Sequence, residues 1–285
     1  MLKTQTSSSN EDDSGNIIDI SRFVSNTNPK NDNLFYSDKN INNESIQNEL
    51  FEKKFSFVKG EKIVIPASLF KHEKDLISSF DNLHDDIYLS HPYRKRRIAW
   101  FIYDIEKSLL SYQKGKIDFS QEINVAGENV NPVSGGIYRK FSPVENPENP
   151  FLEALIKFQI SKFLNNSSLI GNSKFFQIDV HQYRVIANKD HYGNATPEGI
   201  HLDNQAFQSL TLIKKRNAAG GVNNFFNEHK RHVASIELVN RYDSIYFLYC
   251  YHDVSPIFPI DQEKEGIRDI LIIGIDPLDI NIFDI

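Results

Sequence analysis

The residue types best able to do chemistry are concentrated in the stretch Pro197-Glu198-Gly199-Ile200-His201-Leu202-Asp203-Asn204. An imidazole and a carboxylate stand one residue apart, just after a turn-forming Pro-Glu-Gly. On an extended backbone, residues i and i+2 point to one face. His201 and Asp203 can therefore reach one ion while Leu202 points away. A third donor is available far downstream, His252 in Tyr251-His252-Asp253-Val254-Ser255-Pro256. Two histidines and one carboxylate leave the remaining coordination positions open, which suits non-haem Fe(II) oxygenase chemistry. A His-x-Asp pair is common by chance, so the weight lies on what accompanies it.

Arg268 opens the apolar segment Arg268-Asp269-Ile270-Leu271-Ile272-Ile273. Period two puts Arg268, Ile270 and Ile272 on one face. A charged side chain on an apolar face needs a partner, and a guanidinium forms a two-pronged contact with a carboxylate. The other histidines read more plainly. His181 sits on a strand and can line a barrel. His191 lies in the polar loop 188–196, a candidate lid. His229 and His232 flank Lys230-Arg231 and lack a nearby third ligand for zinc. The single cysteine, Cys250, excludes an intramolecular disulfide framework and reads as a buried strand residue.

These groups need a scaffold. Residues 1–50 are polar, with ten Asn, and cannot bury enough apolar surface to offset their ordering entropy. They are expected to form a disordered tail, with 51–285 as a single domain. Phe55–Val58 and Lys62–Pro66 read as short strands, and Pro66–Phe80 as a helix. The basic run Arg94–Arg97 leads into Ile98-Ala99-Trp100-Phe101. In an acidic chain it reads as a solvated edge or a site for a small anion, not for nucleic acid. Gly135–Phe141 reads as a strand after a glycine turn. Asn149-Pro150 opens a helix to Leu164, with apolar positions every three to four residues. From Phe175 the chain reads as β: Phe175–Ile186, Phe207–Lys215, Ala234–Val239, Ser244–Tyr251 and Arg268–Ile275, spaced by turns as in a sandwich or barrel.

Composition sets bounds. The 285 residues carry 21 Phe, 12 Tyr and a net charge of −6, enough apolar material for a large core and no global sign of a nucleic-acid binder. The N-terminus lacks the apolar core of a secretory signal. No apolar run approaches the roughly 20 residues of a membrane span. The expected location is the cytoplasm, with no membrane or nucleic-acid partner and a homo-oligomer left open.

Taken in order, Pro197–Asp203, Arg216-Asn217-Ala218-Ala219-Gly220-Gly221, His252–Ile257 and Arg268–Leu271 resemble the 2-oxoglutarate-dependent Fe(II) dioxygenases. The branch they resemble hydroxylates free amino acids, as bacterial L-isoleucine 4-hydroxylases do. Tyr93–Arg97, Gly135–Phe141 and Gln182–Val185 extend the resemblance, which covers about 57–275. It implies a mainly β fold with flanking helices (α+β), built on a double-stranded β-helix (jelly-roll, cupin-like) core over roughly 130–280. It implies Fe(II) on His201, Asp203 and His252, and Arg268 on the distal carboxylate of 2-oxoglutarate. The reaction would hydroxylate a free L-amino acid or similar small molecule with O2, releasing succinate and CO2, with ascorbate stimulatory. Arg184, Tyr183 and Arg139 are the candidate substrate contacts, and Phe207 a candidate pocket wall. Asp253 departs from the glycine common after this histidine and could orient or crowd the site. Alternatives are a 2-oxoglutarate oxygenase acting on a peptidyl residue or a secondary-metabolite intermediate, and a non-catalytic cupin-like metal or ligand-binding module. An intact Asp203 disfavours a halogenase.

Overall fold

The computed structural model describes residues 43–63, 65–89, 91–119, 137–164, 173–203 and 205–278. These contain helices α1 (Asn43–Lys53), α2 (Glu73–Ser79) and α3 (Pro150–Leu164). The strands are β1 (Phe55–Val58), β2 (His84–Asp85), β3 (Arg94–Asp104), β4 (Leu109–Tyr112), β5 (Asp118–Phe119), β6 (Arg139–Lys140), β7 (Phe175–Ala187) and β8 (Phe207–Arg216). They continue with β9 (Ala218–Gly220), β10 (Val222–Phe226), β11 (His232–Glu237), β12 (Ser244–Leu248), β13 (Tyr251–Val254), β14 (Ile257–Pro259) and β15 (Gly266–Leu278). The major sheet runs β1-β12-β8-β15-β7-β3-β2, with β4 also on β3, and its paired strands are antiparallel. A smaller sheet, β11-β10-β13, and the pairs β14-β9 and β5-β6 complete the jelly-roll core.

The long strands are buried on both faces, and their alternation separates two kinds of interior. On β7, Phe176, Ile178 and Val180 join the main apolar core, as do Ala99, Phe101 and Tyr103 of β3 and Leu271, Ile273 and Ile275 of β15. Helix α3 covers this face with Leu152, Leu155, Ile156 and Phe163. Its start follows from chemistry: Asn149 Oδ1 accepts the Phe151 and Leu152 amides at 2.9 and 3.1 Å, and Pro150 takes the first turn. Gln159, fully buried, donates to Thr211 and accepts from Ser209, so the polar positions of β8 on this face are matched. The alternate residues of these strands include many polar ones, which face a cavity.

Several expectations change. Residues 43–50, expected in the tail, belong to α1, because Ile46 and Leu50 join the core. The rest of that tail, and the Gly135-Gly136 turn, lie outside the described residues. The major sheet begins well before residue 130: β3 pairs with β7 from Arg94↔Val185 to Asp104↔Phe175. A partner so distant in sequence leaves no local trace. Lys62–Pro66, expected as a strand, forms none at its described residues; Gly60–Lys62 is a 3-10 turn, and the Gly60 amide donates to Asp243 Oδ1 at 2.9 Å. The stretch 66–80 is a helix broken into 3-10 and α pieces, and Phe70 is exposed.

Arg184 falls on the core side of β7, away from the cavity. Its Nε and Nη2 donate to Asp269 at 2.6 and 2.8 Å, and Nη2 also reaches Asp81 at 2.8 Å. Tyr183 and Arg184 are adjacent on one strand, so only one of them can face the cavity. Phe207 is likewise turned to the helical layer, its ring 5.1 Å from that of Phe163. Arg184 is thus a structural ion-pair residue. Arg184→Met leaves the fully buried Asp269 carboxylate without its partner, and should lower unfolding stability by about 3–5 kcal/mol. Urea denaturation measures this; stability within about 0.5 kcal/mol of wild type, the range of ordinary surface substitutions, would overturn the assignment.

Candidate metal centre

His252 lies on β13, opposite Phe225 of β10. His201 is outside any strand, yet it forms a two-way backbone bridge to His252: each amide donates to the other's carbonyl at 3.0 Å. The turn before it ends at Gly199, whose φ of +71° is a conformation that glycine adopts without strain. Both rings are oriented from behind. His201 Nδ1 donates to Gly199 O at 2.9 Å and His252 Nδ1 to Cys250 O at 3.2 Å. This leaves both Nε2 atoms as acceptors, the form a metal needs. They face Asp203, at 3.6 Å from His201 and 3.3 Å from His252.

Ligand atoms of His201, Asp203 and His252 all lie within 4.8 Å of one another, and no other His, Cys, Asp or Glu group among the described residues gathers three donors this closely. Burial pushes the Asp203 carboxyl up, but His201 and His252 outweigh it and hold it well below the usual carboxylate range. Burial works against a charged His252, and the Asp203 hydrogen bond and charge raise it regardless. The donors fit a divalent metal with open positions. His229 and His232 are exposed, His232 bonding Ser235 at 2.8 Å. Asp253 points away from the cluster and accepts from Asn224 at 2.7 Å, so it does not crowd the site.

The cluster opens into a cavity of about 810 Å³, counted with its mouth. Its walls follow period two: Arg94 and Arg96 from β3, Asp179, His181 and Tyr183 from β7, and Arg268, Ile270, Ile272 and Gly274 from β15. Arg268 is 3% exposed. Its Nη2 makes one long bond to Asn223 Oδ1 at 3.4 Å, and its Nε has no partner. Burial draws this guanidinium down to about 10. Gly221 makes room for it: a Cβ there would lie 2.8 Å from Arg268 Cδ, at a φ of +73°. An under-bonded buried cation in a shaped cradle fits the free carboxylate of a bound diacid such as 2-oxoglutarate.

Tyr183 and Arg139 line the same cavity; Arg184 does not. Tyr183 donates its hydroxyl to Ala195 O at 2.6 Å and accepts from Arg94 at 2.7 Å. His181, a candidate wall residue, is held as a neutral ring. Its Nδ1 accepts from Arg96 at 3.1 Å and its Nε2 donates to Asp179 at 2.8 Å. Burial, then Arg96 and Arg139, push its pKa well below the ordinary value. His191 packs on His91 in the loop, ring centroids 5.7 Å apart. Sequence reading did not single out Arg94, Arg96, Asn223 or Glu198. The signal for the first two was present in the basic run Arg94–Arg97, whose three arginines are buried while Lys95 is half-buried. Its alternate members face the cavity, while Arg97 turns outward to Glu145 and the carbonyls of Asn82 and Pro143.

Comparison with known proteins agrees with this geometry. L-isoleucine-4-hydroxylase from Bacillus thuringiensis is 27% identical over 143 residues, 49% of this chain and 59% of that protein. The chain thus matches less than two thirds of that relative's length. The crystal structure of IDO from Bacillus thuringiensis superposes with a TM-score of 0.69 at 21% identity, covering 83% of this chain and 100% of that one. A bsmA homologue from Methylobium petroleophilum PM1 gives 0.67 at 19% identity, covering 83% and 94%. Both establish a shared fold. The family profile for 2OG-Fe dioxygenases matches residues 77–274, well over half of the sequence and including every residue of the cluster and cavity named above; the chain belongs to the 2OG-Fe dioxygenase family, whose members use Fe(II), 2-oxoglutarate and O2.

Proposed function

We propose that the protein hydroxylates a free L-amino acid, or a similar small amino-acid-like molecule, with Fe(II) held by His201, Asp203 and His252. The observation that carries this reading is that the three donors and the under-bonded Arg268 open into one cavity. A binding module has no need of both an open metal site and a carboxylate clamp. The named activity of the Bacillus thuringiensis relative supports the same class.

When bound, Fe(II) with 2-oxoglutarate supplies the activation of O2 that converts 2-oxoglutarate to succinate and CO2 and hydroxylates a C–H bond. The chain's own residues do the positioning. The Gly199 and Cys250 carbonyls fix the two imidazole tautomers, so that both Nε2 lone pairs are presented together. Arg268, steered by Gly221, would orient the cosubstrate through its far carboxylate. Apolar Leu210, Ile270 and Ile272 line the wall and keep the site dry.

Asp203→Ala should weaken Fe(II) binding by more than about 100-fold, since even an outer partner of a metal ligand is worth 10–100-fold. Calorimetry on the apo-protein reads this; unaltered affinity would remove Asp203 from the site. Gly221→Ala and Arg268→Met should each weaken 2-oxoglutarate binding about tenfold or more, given the strength of charge-assisted pairs, with Fe(II) affinity unchanged. A wild-type cosubstrate affinity in Arg268→Met would refute the clamp. For the substrate class, succinate release is measured with Fe(II), 2-oxoglutarate and ascorbate across the twenty L-amino acids. At least one should stimulate turnover; stimulation by none of them would sink the free amino-acid reading.

A further inference from the structure

Arg268 is buried in surroundings that leave its charge uncancelled. It is 3% exposed, and its Nε has no hydrogen-bond partner. Burial lowers its pKa, and Tyr183 and Glu237 oppose that only in part. Glu237 is exposed on β11 and is already bonded to Lys215 Nζ at 2.6 Å. The hydrogen bond that the guanidinium does make goes to a neutral group. Asn223 of β10, 1% exposed, accepts from Arg268 Nη2 through Oδ1 at 3.4 Å, and its Nδ2 donates to Ile236 O of β11 at 3.0 Å. Asn223 does not itself line the cavity.

Both neighbours dictate the same amide orientation. A guanidinium has no acceptor and a carbonyl has no donor, so only Oδ1 can face Arg268 and only Nδ2 can face Ile236. The pairing of β10 with β11, where Asn223 stands opposite Ile236, holds the amide there. A neutral oxygen thus fixes the guanidinium without cancelling its charge. An aspartate in the same place would be an internal counter-ion, which a ligand carboxylate would have to displace. The same stretch of chain also serves the metal cluster. Phe225, two residues on, stands opposite His252, and Gly221, two residues before, leaves room for the Arg268 side chain. One run of backbone therefore sets the clamp and one metal donor relative to each other.

We infer that Asn223 is a positioning residue for Arg268, and that its neutral side chain determines the choice of a dicarboxylate cosubstrate over 2-oxo acids that lack a second carboxylate. It acts on the far end of the cosubstrate through Arg268 and touches no reacting atom. A 2-oxo acid with a methyl group at that end leaves the buried charge uncompleted, which is costly; a carboxylate completes it. Asn223→Asp removes the preference by supplying the counter-ion from within. This rests on the Arg268 clamp proposed above and adds the residue that leaves its charge to the ligand.

The test uses the full chain loaded with Fe(II), without O2. Calorimetry compares 2-oxoglutarate with 2-oxopentanoate, which keeps the chelating end and has a methyl group in place of the far carboxylate. Wild type should prefer 2-oxoglutarate about tenfold or more, as expected for a charge-assisted pair. In Asn223→Asp the preference should fall to within about two-fold. The fall comes from weaker 2-oxoglutarate binding, with 2-oxopentanoate bound no more weakly than by wild type and Fe(II) affinity unchanged. Asn223→Ala should cost 2-oxoglutarate about fivefold, and less than about two-fold in the Arg268→Met background. An Asn223→Asp protein with the wild-type preference would overturn the inference. Equal weakening of both 2-oxo acids marks a merely structural role and would overturn it too, as would an Asn223→Ala loss that is the same with and without Arg268. If Asn223→Asp does not fold, Asn223→Ala and its cycle with Arg268→Met decide between these outcomes. Wild-type 2-oxoglutarate affinity in Arg268→Met would overturn the clamp and the inference together. A loss there with no effect of either Asn223 change would leave the clamp standing and overturn the inference alone.

Discussion

Two backbone hydrogen bonds, exchanged between His201 and His252, set the geometry on which the site depends. They join a loop that follows a glycine turn to a strand of the smaller sheet. They also fix the separation of the two imidazoles. Each ring is then tied from behind to a carbonyl two residues earlier in sequence, Gly199 and Cys250. Backbone geometry thus determines both the position and the tautomer of the donors, and Asp203 completes the cluster from the loop itself. A site built this way does not need metal to hold its ligands together, because backbone pairing has already offset part of their ordering entropy.

The major sheet supplies the rest by one physical rule. Strands β3, β7, β8 and β15 are buried on both faces, but the two faces have opposite chemistry. One packs against α3 and is largely apolar, with the buried Gln159 bonded to Ser209 and Thr211. The other carries arginine, histidine, tyrosine and aspartate into a common cavity. Burying so many polar groups is tolerable only because they bond one another. Arg94 with Asp86 and Arg96 with His181 and Asp179 are the two main chains of contact. Within this cavity Arg268 Nε has no hydrogen-bond partner, and Arg96 rests against the neutral His181 ring.

Much of this was legible in the chain. The His201-Leu202-Asp203 spacing, the later His252, and Arg268 at the head of an apolar strand carry their own geometry, because period two is a local property of extended backbone. The same rule placed Ile270 and Ile272 beside Arg268. Helix α3 was legible from its Asn-Pro start and its three-to-four spacing. The choice between Tyr183 and Arg184 was not. Alternation says that they face opposite ways, but which of the two faces is the cavity depends on where α3 packs. Phe207 was ambiguous for the same reason. The basic run of β3 read as a solvated edge or a small-anion site, with the choice left open, because burial of such a run is decided by partners such as His181, 85 residues away from Arg96.

The sequence by itself determined the donor types, their order, the β-rich core with its capping helix, and the place of Arg268 at the head of an apolar strand. These follow from periodicity, turn chemistry and the coordination preferences of a few residue types. Tertiary structure decided the rest: the pairing of β3 with β7, the incorporation of α1 into the core, the structural role of Arg184, and the convergence of Arg96, Arg139 and Glu198 on one cavity. The reason is that each of these depends on non-local contact. A guanidinium's role is set by whether a carboxylate stands beside it, and only the fold brings the Arg184 and Asp269 groups together while leaving Arg96 against a neutral ring.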